Sequence, residues 1–88
     1  MRKLEIDRAA YKFLAGLDAK QYRQVGKKVF SLLLDPQPAD CSKLKGYEYW
    51  RVDAGEYRIV YHFDDEIVYV ILIGKRNDDE VYRDLERK

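Results

Sequence analysis

The sequence predicts an α+β domain, with an N-terminal helical hairpin packed on one face of a mostly antiparallel twisted sheet and a short C-terminal helix after it. Apolar residues recur at helical spacing in residues 8–33, whereas residues 48–74 alternate or stay apolar as strands do. The spacing changes across a stretch that contains Pro36 and Pro38, which stop a helix. A chain of 88 residues supports one core, so we expect a single domain over residues 1–88.

The N-terminal part is predicted to hold one strand and two helices. Residues 2–6 (RKLEI) alternate well enough for a short first strand. Asp7 is a candidate N-cap of a first helix that ends near Gly16, and Asp18 with Gln21 resembles a capping box at the start of the second. Helices joined by so few residues pack as an antiparallel hairpin. The apolar stripes are Ala10, Phe13, Leu14 and Leu17 in the first helix, and Tyr22, Val25, Gly26, Val29 and Leu33 in the second.

Beyond the helices the spacing becomes that of strands. Residues 37–46 are a predicted loop, and EYWRV (48–52) is the next candidate strand. Residues 53–56 then turn the chain into YRIVYHF (57–63), whose residues alternate between two faces. One face is Tyr57, Ile59, Tyr61 and Phe63, and the other is Arg58, Val60 and His62.

The last predicted strand is IVYVILIG (67–74), which is apolar at almost every position. Such a run belongs in the middle of a sheet that is covered on both sides. If the helices cover the face of Tyr57 and Ile59, Arg58 points to the opposite face. Residues 78–86 are predicted to form a last short helix, because acidic residues occupy its first turn.

Charge is balanced over the whole chain but not along it. Apolar residues make up 47% and charged residues 38%, with a formal net charge of +1. Residues 1–34 nevertheless hold eight basic and three acidic residues. This excess permits contact with a polyanion, and it is equally what two solvated amphipathic helices show.

The chain lacks the residue sets of several common sites. It has one cysteine, Cys41, one histidine, His62, and no glycine-rich phosphate loop, so we predict no disulfide, metal or cofactor. His62 is expected to be packed or hydrogen-bonded. The acidic triplets at 64–66 and 78–80 fall at a turn and a helix start, where acids have local roles. We see no signal peptide and no membrane-spanning run, so we expect a cytoplasmic protein with no membrane contact.

A basic and aromatic set concentrated late in the chain remains as the candidate site. Cations on an exposed sheet face hold phosphates and stabilise a phosphoryl transition state, and aromatic rings stack on bases. The alternative is a solubilising rim, with the tyrosine packed under the last helix. The set is Lys43, Lys45, Arg51, Arg58, Lys75, Arg76 and Tyr82.

The same region resembles a known family. SKLKGYEYWRV followed by GEYRIVYHFDDEIVYVILIGKRNDDEVY is similar to the RelE branch of the RelE/ParE toxins of type II toxin–antitoxin systems, through the order and spacing of KLKG, EYRIVY and GKRNDDEVY. The resemblance implies an endonuclease that cuts translated mRNA in the ribosomal A site. It also implies that the RNA 2′-hydroxyl is the nucleophile, that no metal ion takes part, and that a cognate antitoxin is a partner.

The resemblance also implies roles for individual residues. Arg58 matches the family's catalytic arginine, Arg76 matches a second arginine at the reacting phosphate, and Tyr82 matches the tyrosine that orients or activates the 2′-hydroxyl. The residues expected to grip RNA or its phosphates are Lys43, Lys45, Arg51 and Lys75. The candidates for a contact with ribosomal RNA are Lys20, Arg23, Lys27 and Lys28 on the second helix.

The sequence departs from the family pattern at Asp53. The best-studied members place two lysines, one residue apart, where this chain has Arg51 and Asp53. If the second lysine acts as a general base, then Tyr82, Lys75 or Asp53 must replace it here. Two alternatives therefore stay open beside the nuclease: a ParE-like inhibitor of DNA gyrase, and a toxin-like regulatory binding protein with decayed activity.

Overall fold

The structure, a computed structural model, describes residues 1–76. The predicted helix at 78–86 and Tyr82 lie outside the described residues. The elements are β1 (Lys3–Ile6), α1 (Arg8–Ala15), α2 (Ala19–Leu32), β2 (Ser42–Lys43), β3 (Trp50–Ala54), β4 (Tyr57–Phe63) and β5 (Ile67–Lys75). The sheet order is β1-β5-β4-β3-β2, and β1 alone among these strands pairs in parallel. The predicted fold class is confirmed.

The two helices begin where the sequence predicts, although only one predicted cap forms. The Asp18 carboxylate accepts the backbone N–H of Gln21 at 2.9 Å, which satisfies one of the N–H groups left over at a helix start. Asp7 has the extended backbone of an N-cap, but its side chain makes no capping hydrogen bond. No helix within residues 1–76 is long and apolar enough to cross a membrane.

The apolar stripe of α2 differs from the predicted one at two positions: Leu32, which lies outside the predicted stripe, is buried, and Tyr22 is exposed. Val25, Val29 and Leu32 are at most 2% exposed and pack on the sheet. Tyr22 belongs to the predicted stripe, but 48% of its surface is exposed. It sits on the flank of the stripe, where it lines a groove together with Tyr11 of α1 instead of entering the core.

The turn between β3 and β4 is tighter than the predicted four-residue turn. Ala54 pairs with Tyr57, so the loop consists of Gly55 and Glu56 alone. Gly55 has φ of +61°, and the Gln24 side chain lies 2.6–2.8 Å from where a Cβ would stand. The positive φ favours glycine here, whereas the flexible end of the Gln24 side chain could move away from a Cβ. The short loop extends β3 through Asp53 and fixes its register against β4.

The predicted loop at 37–46 contains a short edge strand. Ser42 and Lys43 pair with Arg51 and Trp50. The chain then turns back through Gly46, which has φ of +83°, and the Leu44 N–H donates to the Tyr49 carbonyl at 2.9 Å. A two-residue strand leaves little unpaired edge for another chain to extend.

β5 is buried on both faces, as predicted. On the helix side, Val68, Val70 and Ile73 join a core that includes Ile59 and Tyr61. On the other side, a smaller cluster consists of Leu44, Val60, Ile71 and Leu72, with Tyr49 and Tyr69 packed against it. A bulge between Val60 and Tyr61 leaves Ile71 unpaired in the ladder, which directs two consecutive β5 residues to this second cluster.

Candidate nucleic-acid interface

The face of the sheet opposite the helices, which we call the outer face, presents part of the predicted set. In the register of β3 and β4, Asp53 lies opposite Arg58, and Arg51 lies opposite Val60. Cross-strand partners share a face of the sheet. Because Val60 belongs to the cluster away from the helices, Arg51, Asp53 and Arg58 lie on the outer face with it. The prediction that Arg58 points away from the helices is confirmed.

Arg58 is held in place by Asp53. Its Nε donates to Asp53 Oδ1 at 2.8 Å, and its Nη2 lies 3.4 Å from Oδ2. The Arg58 side chain is 16% exposed and that of Asp53 is 40% exposed, so the pair is partly shielded from solvent. A guanidinium carries five N–H donors in a planar fork, and the carboxylate engages two of them. The pair therefore fixes the direction of the fork on the outer face.

The GKR sequence separates its two cations. Lys75 pairs with Tyr57, which lies in the helix-side core, so Lys75 belongs to the helix side at the end of the strand. The Arg76 N–H donates to the Glu56 carbonyl at 2.9 Å, which extends the ladder by one position. Arg76 is then two residues from Gly74, the partner of Arg58. The alternation of a strand places Arg76 on the side of Arg58.

The two remaining predicted cations, Lys43 and Lys45, lie elsewhere. Lys43 Nζ lies 6.0 Å from the centroid of the Trp50 ring, and Trp50 packs on the helix-side core, so Lys43 is not on the outer face. Lys45 is exposed in the turn after β2. The structure thus brings Arg51 and Arg58 to the outer face and leaves Lys43 and Lys75 on the other. Arg76 follows the end of β5, and strand alternation continued by one residue would assign it to the side of Arg58.

Three of the four basic residues of α2 form one exposed stripe. Lys20, Arg23 and Lys27 recur at i, i+3 and i+7 and are exposed. Lys28 is different, because its Nζ lies 2.7 Å from Asp40 Oδ2. The hydrogen bond from Lys28 holds the pKa of the Asp40 carboxyl below its usual value. Lys28 is therefore engaged with the loop after α2.

A row of aromatic rings on the outer face was not predicted from the sequence. Ring centroids are 6.2 Å apart for Tyr47 and Tyr49, 5.6 Å for Tyr49 and His62, and 4.4 Å for His62 and Tyr69. His62 is packed between rings, as predicted. The signal for Tyr49 was its parity with Arg51 and Asp53, because alternate residues of an extended chain share a face.

The acidic triplet at 64–66 lies in a turn that Asp64 stabilises through hydrogen bonds. Asp64 Oδ1 accepts the N–H groups of Glu66 and Ile67 at 2.7 and 2.8 Å. These backbone hydrogen bonds hold the pKa of Asp64 below its ordinary value. Within residues 1–76, no group of three or more His, Cys, Asp or Glu side chains is placed to hold a metal ion.

Comparisons with known proteins provide evidence about the family that does not depend on the geometry of the site. Residues 4–80 match the family model described as the ParE toxin of type II toxin-antitoxin system, parDE. The chain is 32% identical over 91 residues to the mRNA interferase toxin RelE of Escherichia coli, a match that covers 97% of this chain and 94% of that protein.

Solved structures of RelE toxins are also similar to this chain in fold. A mutant of E. coli toxin RelE in the free state superposes with a TM-score of 0.78 at 29% identity, and the match covers 98% of this chain and 96% of that one. The toxin of the intact E. coli RelBE toxin–antitoxin complex superposes with a TM-score of 0.72 at 31% identity, over 85% of this chain and 96% of that one.

Proposed function

The chain belongs to the RelE/ParE family of toxins from type II toxin–antitoxin systems, and on this premise we propose that it is a ribosome-dependent endonuclease that cuts mRNA in the A site. The observation that supports this most strongly is that Arg58 lies on the outer face and is hydrogen-bonded to Asp53. Arg58 is the residue that the family resemblance assigns to catalysis. Its fixed guanidinium suits the stabilisation of a phosphoryl transition state.

The proposed reaction is an internal transfer at one phosphodiester. The 2′-hydroxyl oxygen attacks the adjacent phosphorus, the bond from phosphorus to the 5′-oxygen breaks, and the proton lost by the nucleophile is balanced by one gained by the leaving oxygen. The products are a 2′,3′-cyclic phosphate and a 5′-hydroxyl. Arg58 and Arg76 neutralise the charge that builds on the phosphate oxygens, and Tyr82 orients the 2′-hydroxyl. No step requires a metal ion.

Asp53 is given a positioning role in this mechanism. It stands where the resemblance leads us to expect a lysine, and its carboxylate is bound to Arg58. An aspartate that fixes the arginine fork offsets part of the entropy that a long side chain loses when it binds a phosphate. Lys75 is a weak candidate for the general base, because its strand register assigns it to the helix side.

In this proposal the ribosome holds the mRNA in the geometry needed for attack by the 2′-hydroxyl, which the small outer face cannot do alone. Holding reacting groups in line is worth about 7 to 11 kcal/mol, more than a few exposed cations provide. We propose that the exposed stripe of Lys20, Arg23 and Lys27 docks on ribosomal RNA through a salt-sensitive contact. Lys28 contributes less, because it is paired with Asp40.

The proposed regulator is a cognate antitoxin protein. The solved E. coli RelBE complex holds a toxin together with its antitoxin, and its toxin is 31% identical to this chain. We propose that this chain is held inactive in the same manner. A ribosomal target supports the further proposal that the protein acts in the cytoplasm.

A second candidate is inhibition of DNA gyrase, which the description of the matched family model as a ParE toxin favours. Mapping the 5′ ends of cellular transcripts after brief induction separates the possibilities. New ends inside translated codons support the nuclease. A DNA-damage response without such ends supports the gyrase inhibitor, and neither response supports a regulatory binding protein with decayed activity.

A further inference from the structure

We propose that the four rings of Tyr47, Tyr49, His62 and Tyr69, which we call the ring row, form a stacking platform for a base of single-stranded RNA, with the docking end at Tyr47. The identity of the ligand as RNA rests on the proposed function. The platform itself rests on the geometry of the outer face.

The rings form a row that runs from the loop before β3 to β4 and β5, with two stacked pairs and one tilted pair. The interplanar angles are 14° between Tyr47 and Tyr49, 32° between Tyr49 and His62, and 16° between His62 and Tyr69. His62 and Tyr69 are cross-strand partners, and their 4.4 Å ring separation follows the spacing of neighbouring strands, about 4.7–4.9 Å. Rings aligned in this way offer one more flat partner a surface of the same orientation.

A depression lies beside the row and is in contact with three of its rings. Tyr47 is 37% exposed. The depression has a volume of about 460 Å³, within the range of small-ligand sites. It is lined by Gly46, Tyr47, Glu48, Tyr49 and His62. A Cβ at Gly46 would meet no atom within 4 Å, so the backbone there is open to a ligand. The Glu48 carboxylate and the His62 imidazole offer hydrogen-bond partners for the edge of a base.

Charged side chains of both signs lie at each end of the row. Glu48 and the exposed Lys45 are near Tyr47. At the other end, the Tyr69 hydroxyl lies 3.3 Å from Asp64 Oδ2, and the Arg2 Nε donates to the Asp64 carbonyl at 2.7 Å. Burial, Asp64 and Glu5, in that order, raise the pKa of Tyr69. Lys45 is exposed two residues before Tyr47. A strand that stacks a base on Tyr47 can therefore place its phosphate near a cation.

The platform lies on the same face as the candidate catalytic arginine. His62 is four residues along β4 from Arg58, or about 13 Å at the rise of a strand. That separation is too large for one nucleotide to touch both. The platform would therefore hold a nucleotide other than the one that is cut, and would influence which sequences are bound.

Covering the second core does not account for the whole row. Tyr49 and Tyr69 pack against the cluster of Leu44, Val60, Ile71 and Leu72 and shield it from water. Tyr47 lies outside that packing, yet its ring continues the stack. Stacking on Tyr49 stabilises the position of the Tyr47 ring and leaves it at the exposed end of the row.

The test is binding of a labelled single-stranded hexaribonucleotide, measured by fluorescence anisotropy at low salt. Stacking of one base on an aromatic ring predicts that Tyr47→Ala weakens binding about tenfold. Tyr47→Phe keeps the ring and should bind within about twofold of the unchanged protein. Tyr11→Ala removes a tyrosine that is 56% exposed on α1, outside the row, and serves as the matched control. Thermal unfolding confirms that each variant is folded.

A second arm identifies the base. The hexanucleotide is prepared with an abasic residue at each position in turn. For the unchanged protein, one position should show a loss of about tenfold, and that loss should vanish in Tyr47→Ala. The proposal is overturned if Tyr47→Ala and Tyr47→Phe bind alike, or if the unchanged protein does not bind the RNA.

This assay involves neither ribosomes nor cleavage, so a failure of the platform can be told apart from a failure of the proposed function. Tyr47-dependent binding by a protein that leaves translated mRNA intact would support the platform and remove the nuclease. Cleavage of translated mRNA by a protein whose RNA binding ignores Tyr47 would support the nuclease and remove the platform.

Discussion

The two faces of the sheet share the same strands but are built from different interactions. On the helix side, Ile59, Tyr61, Val68 and Val70 are completely buried, and the Tyr61 hydroxyl donates to the Pro36 carbonyl at 2.6 Å. On the outer face, a small apolar cluster is bordered by an ion pair and a row of half-buried rings. The first arrangement uses apolar burial to fix the fold, and the second leaves oriented polar and aromatic groups at the surface. We infer that stability depends mostly on one face and activity on the other.

The largest expected effect is on stability, from Ile59→Ala. Ile59 is 0% exposed in the helix-side core, and replacing such a residue with Ala costs about 2–5 kcal/mol through lost burial and a residual cavity. Urea unfolding of the purified protein measures this loss. A cost below about 1 kcal/mol would contradict the assignment of this face to the core.

Arg58→Ala should reduce activity and leave stability nearly unchanged. Loss of a fixed donor at a transition state costs about 3–4 kcal/mol, so cleavage of ribosome-bound mRNA should fall about 10²- to 10³-fold. The cost in stability should be about 1 kcal/mol or less, because Asp53 is 40% exposed and stays hydrated. The variant should also relieve growth arrest while it still binds the antitoxin.

Lys75→Ala is the matched control for Arg58→Ala. Both residues are cations of the predicted set, but the register assigns Lys75 to the helix side. Its removal should change cleavage less than about tenfold. Equal losses in Arg58→Ala and Lys75→Ala would show that the separation of the two faces does not organise the site.

These variants depend on details that the sequence could predict only in part. Alternation within residues 57–63 predicted that Arg58 lies opposite the helices, because a strand's side-chain period is local. The pairing of Arg58 with Asp53 depends on the length of the next turn. A predicted turn over 53–56 removes Asp53 from the ladder, whereas the observed Gly55–Glu56 turn puts it opposite Arg58.

The ring row is another feature that the sequence alone could not predict. Tyr49 lies in the loop before β3, His62 in β4 and Tyr69 in β5, so their contact depends on loop geometry and strand register. Composition showed that Phe, Trp and Tyr were frequent, at 14% of the chain, without showing that three tyrosines align with His62. Which face Lys75 takes also depends on register, because it follows from the pairing of Lys75 with Tyr57.

Two glycines should respond in opposite directions to replacement by alanine. A Cβ at Gly26, in the middle of α2, would meet no atom within 4 Å, so Gly26→Ala should stabilise the protein by about 0.5–1 kcal/mol. Gly55→Ala should destabilise it by about 1–2 kcal/mol, because Gly55 has positive φ. Chemical denaturation measures both changes. Destabilisation by Gly26→Ala would mean that this part of α2 is more tightly packed than the structure shows.

The smallest expected effect is the dependence of stability on acid at the Asp64 turn. The N–H groups of Glu66 and Ile67 lower the pKa of Asp64 in the folded protein. Its contribution to stability is therefore complete above its unfolded pKa, about 3.9, and is lost as the pH falls through the lower folded value. Asp64→Asn should be less stable than the unchanged protein at pH 6, and the gap should close near pH 2. A gap that widens on acidification would contradict the assignment.

The most direct test of the proposed function compares one mRNA in two forms, naked and in programmed ribosomes with an empty A site. Purified protein should cut the ribosome-bound form faster by several orders of magnitude, because alignment of the 2′-hydroxyl is worth about 7 to 11 kcal/mol. The upstream fragment should end in a 2′,3′-cyclic phosphate or its opened form. Replacing Lys20, Arg23, Lys27 and Lys28 by Ala or Glu should reduce the acceleration. Equal cleavage rates for naked and ribosome-bound mRNA would contradict the proposed mechanism.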